Sequence, residues 1–179
     1  MKRFFTNIIN KGMKLKDLSF MGIANLIGNA ISSVFWLVLA SLMEAEQYGE
    51  INYFIAIASV ASAISFLGAG NALMVFSAKE KKIESPILIV TTIASIIVSL
   101  VMFTLFSNIA ISLYIIGYVI FNHLLYETLG KKLYPSYAKY YVIQRILLIV
   151  FAFGLYFLIG PIGVVLGYAF SFMQFIIKT

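Results

Sequence analysis

Six long apolar runs limit what this chain can fold into more than any other feature of its sequence. They are Phe20–Met43, Ile51–Phe76, Pro86–Phe106, Ile109–Leu129, Tyr140–Ile159 and Pro161–Ile177. A helix that crosses the hydrocarbon of a bilayer needs about 20 predominantly apolar residues. The runs are continuous and do not alternate in and out, which excludes a transmembrane β-barrel. Composition agrees: 62% of the 179 residues are hydrophobic, 11% are charged, and mean hydropathy is +1.00. So few charges cannot coat a water-exposed surface, so soluble globular, disordered and coiled-coil classes drop out. The expected fold is all-α: a polytopic membrane protein with a six-helix transmembrane bundle over residues 19–179, preceded by a cytoplasmic-face segment over residues 1–18. With no cysteine, the chain has no disulfide and no thiolate metal site.

Charge placement sets the expected orientation. All 13 basic residues fall on one side of a six-span arrangement: Lys2 to Lys16 before the first run, Lys79 to Lys82 after the second, Lys131 to Arg145 around the start of the fifth, and Lys178 after the sixth. The opposite loops carry Glu44, Glu46 and Glu50, then Ser107-Asn108, then Gly160-Pro161. The positive-inside rule then puts both termini in the cytoplasm and the protein in the cell membrane. The first 18 residues are not a cleavable signal, because the run that follows is far longer than a signal's apolar core. Phe5, Ile8, Ile9, Gly12 and Met13 recur at helical spacing beside Lys11 and Lys14. That pattern suits an amphipathic helix on the inner leaflet, and equally a basic tail that only sets topology.

Polar residues inside apolar runs need a partner or a purpose. Asn25, Asn29, Ser32 and Trp36 share one face of the first run. That face lines a wet cavity or bonds to a neighbouring helix. In the second run Ser59, Ser62 and Ser65 suggest close helix packing, and Gly68 and Gly70 suggest a hinge. Leu73 where a phosphate ligand would stand rules out a nucleotide loop. In the fourth run Tyr114, Tyr118, Asn122 and Tyr126 follow at four-residue steps, either as packing or as the wall of a polar cavity. His123 and Glu127 form a second such pair one position round the helix. A lone histidine reads more simply as a buried hydrogen-bonding residue than as a metal ligand. Arg145 either snorkels to headgroups or points into the bundle, where its guanidinium fork suits a pyrophosphate. Gly163 and Gly167 give a GxxxG that reads as close packing. No catalytic triad, HExxH or acidic metal cluster is present, so neither an enzyme nor a bound cofactor is expected.

Two blocks resemble a known family. ASLMEAEQYGEINYFIAIASVASAISFLGAG, from Ala40 to Gly70, is similar to the end of helix one and helix two of polysaccharide flippases of the O-antigen type. These belong to the superfamily of multidrug, oligosaccharidyl-lipid and polysaccharide (MATE-like) exporters. Glu127 to Phe170 is similar to helices four to six, through Gly130 with Lys131-Lys132, Tyr134, Tyr137-Ala138, Gln144-Arg145 and GPIGVVLGY. The resemblance implies flipping of a polyprenyl-pyrophosphate-linked oligosaccharide between leaflets during polysaccharide biosynthesis. It also implies a central cationic cavity between two six-helix lobes. Asn25, Asn29, Ser32, Tyr118, Asn122 and Arg145 are the expected cavity residues. Members of the family have about twelve to fourteen spans, so six spans amount to one lobe. The expectation is then a half-length or truncated transporter completed by a homodimer partner or a second chain, with bilayer lipid and a lipid-linked oligosaccharide as its other partners and no nucleic acid. A non-transporting membrane scaffold derived from such a flippase is the alternative. A small cation exporter ranks last, since its acid would have to be Glu127.

Overall fold

The computed structural model describes residues 2–79 and 84–173, with side chains described from Ser19 onward. Seven helices follow one another: α1 (Lys2–Leu42), α2 (Ala45–Ser65), α3 (Ala69–Ala78), α4 (Glu84–Phe106), α5 (Ile109–Gly130), α6 (Tyr134–Ile159) and α7 (Ile162–Ser171). Among the described residues there is no strand. Four helices are long and apolar enough to cross a membrane, the first of them over Ser19–Leu42 of α1, and α2 with α3 forms a fifth candidate span bent by 49°. α7 is a shorter apolar helix of ten residues. The sixth expected run continues to Ile177, beyond the described residues. The backbone of α1 is helical without interruption from Lys2. The amphipathic reading of residues 1–18 concerns side chains outside the described set.

Local chemistry explains the ends of the helices. The Asn108 side chain accepts a hydrogen bond from Ala110 N at 2.9 Å and so caps α5. At the other end of α5, Lys132 takes a left-handed φ of 58°. Leu133 N then reaches Thr128 O and Lys132 N reaches Leu129 O, the paired bonds of a Schellman stop. Pro135 in the first turn of α6 starts the next helix. α6 therefore begins at Tyr134, six residues before the apolar run suggested.

The second run is one continuous apolar stretch in sequence and two helices in the structure. Leu67 and Gly68 have φ of 52° and 67°. A left-handed leucine costs about 1 kcal/mol or slightly more. Just before the break the hydroxyls of Ser62 and Ser65 donate to the carbonyls of Ala58 and Ala61 at 2.6 and 2.7 Å, a back-bonding that favours bending of the last turns of α2. Gly70 lies inside α3, and a Cβ there would stand 2.7 Å from the Tyr126 ring. The hinge pair thus divides: Gly68 makes the bend, and Gly70 admits a side chain of α5.

α5 is the central helix. Of its span 61% is buried, against 17% for α4 and for α6, so those two are exposed over most of their surface. α6 and α7 fold back as a tight hairpin. At Gly163 and Gly167 an added Cβ would collide with the backbone of Leu155 and Ala152, so these glycines let the two helices touch. α1 packs mainly on α6 through Ala24, Gly28, Phe35 and Leu39, and meets α2 only slightly. Across the bundle the order is α1, α6, α7, α5, with α2, α3 and α4 around the far side of α5. The thin contact between α1 and α2 forms the seam, or groove, between α1 and the α2–α5 side, with α6 and α7 behind it.

Candidate functional site

The groove is built from aromatic rings and a few polar groups. Trp36 of α1 meets Tyr48 of α2 edge-on at 5.8 Å and Tyr168 of α7 at 6.2 Å. Tyr168 meets Tyr114 of α5 at 5.8 Å. Tyr114 and Tyr118 stack at 6.3 Å with 10° between planes, and Phe172 stands edge-on to both. The rings form a continuous packed series from α1 to α5, in which Tyr114, Tyr168 and Phe172 are buried in the core. Tyr114 is anchored by a hydrogen bond of 3.0 Å shared with Ser59. Replacing it by phenylalanine leaves the ring and removes that bond. Tyr114→Phe is expected to lower unfolding free energy by about 0.6 kcal/mol, the usual value for an interhelical bond in a membrane, as read by denaturation in detergent.

Towards the start of α6 the lining becomes polar. Tyr137 stacks on Tyr141 at 5.9 Å and donates its hydroxyl to Asn25 Oδ1 at 3.3 Å. Arg145 lies one turn further along α6. Its Nη2 donates to the Tyr141 hydroxyl at 3.2 Å, and its guanidinium carbon lies 5.1 Å from the centre of that ring. Gly28 of α1 makes room for both side chains, since a Cβ there would strike Tyr141 and come within 3.4 Å of Arg145 Cγ. Arg145 is therefore turned into the α1–α6 seam and not outward.

Two features make this arginine unusual. Its Nε is buried and has no hydrogen-bond partner, as has Ser32 Oγ on α1. Among the described residues Arg145 takes part in no salt bridge. It also stands eleven residues beyond Tyr134, about 16 Å along a helix that is about 39 Å long. The guanidinium is turned back towards the start of the helix, at Tyr141. Arg145 is thus a half-buried cation with no acidic partner among the described residues.

The remaining expected cavity residues are placed unevenly. Asn25 is half-buried and bound to Tyr137, Ser32 is half-buried, and Asn29 is exposed beside them. Tyr118 is half-buried in the aromatic lining. Asn122 spends its amide on its own helix, donating to Tyr118 O at 2.9 Å. Tyr126, the last of the tyrosine stripe, packs on Phe66 at 5.7 Å as part of a separate small core. The stripe thus holds two packing residues, Tyr114 and Tyr126, with the half-buried Tyr118 and Asn122 between them. Sequence reasoning missed Tyr141 and Tyr168, whose i, i+4 relations to Arg145 and to Phe172 were available signals. It also left Gln144 without a role: this side chain is buried and donates to Ser171 Oγ at 2.9 Å, tying α6 to α7.

A second polar cluster lies at the opposite side of α5. Glu127 accepts from Lys131 at 2.6 Å, Lys131 is 3.2 Å from Glu84, and Ser77 donates to Glu84 at 3.2 Å. This joins the ends of α3, α4 and α5. The two carboxylates, Glu127 foremost, hold the Lys131 ammonium above its ordinary 10.5. Among the described residues no group of His, Asp and Glu is placed to hold a metal ion.

No known family model, curated protein or solved structure matches this chain.

Proposed function

We propose that this chain is one lobe of a flippase for polyprenyl-pyrophosphate-linked oligosaccharides, with Arg145 as the anchor for the pyrophosphate. What supports the reading is the Arg145 guanidinium, turned into the α1–α6 seam with no acidic partner among the described residues. An ionisable group inside a span is retained where it meets a partner or a substrate, and the fork of an arginine matches two phosphate oxygens at once. The half-buried rings of Trp36, Tyr118 and Tyr141 suit the sugars that would follow the pyrophosphate, because ring faces pack on the apolar faces of pyranoses. In this reading the six runs are six spans, the end bearing Lys131 and Lys132 faces the cytoplasm, and a second copy or a second chain supplies the opposite wall of the cavity. Alternating access would then proceed by rocking of the two lobes about the groove.

The test is reconstitution in vesicles that carry a fluorescent polyprenyl-pyrophosphate oligosaccharide in both leaflets. Quenching from outside reads how much of the lipid crosses. The expected result is a protein-dependent rise in the quenched fraction above half. A chain that neither raises that fraction nor retains polyprenyl pyrophosphate in nanodiscs is not a flippase lobe.

A further inference from the structure

The cluster on the far side of α5 surrounds a cavity of about 250 Å³ lined by Glu84, Leu88, Ile120, His123, Leu124 and Glu127. His123 is 5% exposed, and its Nε2 stands 4.0 Å from Glu127 Oε2. The other oxygen of Glu127 accepts from Lys131. Glu127 is thus positioned to face an ammonium on one oxygen and an imidazole on the other.

The charges do not balance. With a neutral imidazole the cluster holds two carboxylates, Glu84 and Glu127, against one ammonium, Lys131. Their side chains are 24%, 17% and 39% exposed, so water screens the excess negative charge only in part. Around them α3 contributes the neutral Ser77, and α4 contributes Glu84 and Ser85. The other described charges at this end, Lys79, Lys132 and Lys139, are exposed and join no ion pair. Residues 80–83 lie outside the described set. One added proton brings the cluster to neutrality.

We infer that this cavity is a proton-binding site, with His123 as the carrier and Glu127 and Glu84 as its counter-charge. The imidazole takes the proton from hydronium and releases water, and no other bond changes. The resulting imidazolium faces Glu127 Oε2 while Lys131 keeps Oε1. Proton binding therefore adds a third charge contact to the joint between α3, α4 and α5. This site is separate from the Arg145 groove and does not rest on the flippase reading.

The chain contains a single histidine, so a histidine-labelled sample in nanodiscs gives resonances of His123 alone. The expected result is an imidazole that titrates between about pH 5 and about pH 8. Glu127→Gln should move the midpoint to lower pH by about half a unit or more, about a threefold loss of proton affinity. Glu84→Gln should act in the same direction with a smaller shift, and Lys131→Met in the opposite direction. Glu84 and Lys131 sit at the rim of the cluster and carry the test if Glu127→Gln does not fold. An imidazole that stays neutral down to pH 5, or one whose midpoint is unchanged in the folded carboxylate variants, overturns the proposal.

Discussion

Arg145→Ala is expected to weaken binding of polyprenyl pyrophosphate by about 10- to 100-fold, and to cut translocation correspondingly. A hydrogen bond to a charged group contributes about 1.5–3 kcal/mol, and an arginine fork can offer two to a pyrophosphate. Nothing on the protein compensates for the loss, since Arg145 has no acidic partner among the described residues. For the same reason the fold should tolerate the change: no carboxylate is left buried without its cation. Arg145→Lys keeps the charge and loses the planar fork and the contact over Tyr141. It should recover only part of the affinity. Binding measured in nanodiscs for the three proteins separates charge from geometry. An unchanged affinity in Arg145→Ala would remove Arg145 from the proposed mechanism.

Gly167→Ala should produce the largest loss of stability. A Cβ at Gly167 would fall on the Ala152 backbone, and backbone cannot move aside as a flexible side chain can. Either the α6–α7 hairpin opens or both helices distort. Overpacking of this kind costs about 1–3 kcal/mol. Opening the hairpin would also strain the Gln144–Ser171 bond and the seat of Tyr168 on α7. Gly154→Ala is the control. Nothing lies within 4 Å of a Cβ there, so a modest gain of about 0.5–1 kcal/mol from helix propensity is expected. Unfolding of the two variants in a detergent series reads both effects. Equal stability would mean that the GxxxG spacing has no role in closing the hairpin.

The parts of this molecule that were legible in its sequence follow from one-dimensional physics. The third and fourth runs, Pro86–Phe106 and Ile109–Leu129, correspond within two residues to α4 and α5, because Ser107-Asn108 and Gly130 interrupt hydropathy where the helices end. Where hydropathy and helix geometry part company, the sequence misled. Tyr134, Ser136 and Lys139 lower the hydropathy of the first turns of α6, so the run began at Tyr140, although Pro135 marked the true start. The second run hid its bend because Leu67 is as apolar in a left-handed turn as in a helix. The candidate site was legible as residue types and not as neighbours. Arg145 was visible as a charge in a span. Its contacts with Tyr141 and Gly28 decide which way it faces, and the second of these comes from a helix 117 positions earlier. The pairing of Glu84 with Lys131 likewise joins residues 47 positions apart, and no local pattern announces it.

α1 has a mechanical character set by how it is attached. The other long helices are each held on several sides, whereas α1 rests mainly on α6 along Ala24, Gly28, Phe35 and Leu39 and barely meets α2. Those contacts are small or apolar surfaces and carry no hydrogen bond. The exception is the Tyr137–Asn25 bond near one end, and at the other end the Tyr156 hydroxyl donates to Leu42 O at 3.1 Å. α1 is therefore tied to the bundle by one hydrogen bond near each end of its Ser19–Leu42 part and by close packing on α6 between them, a seat in which the Tyr141 ring fits against Gly28.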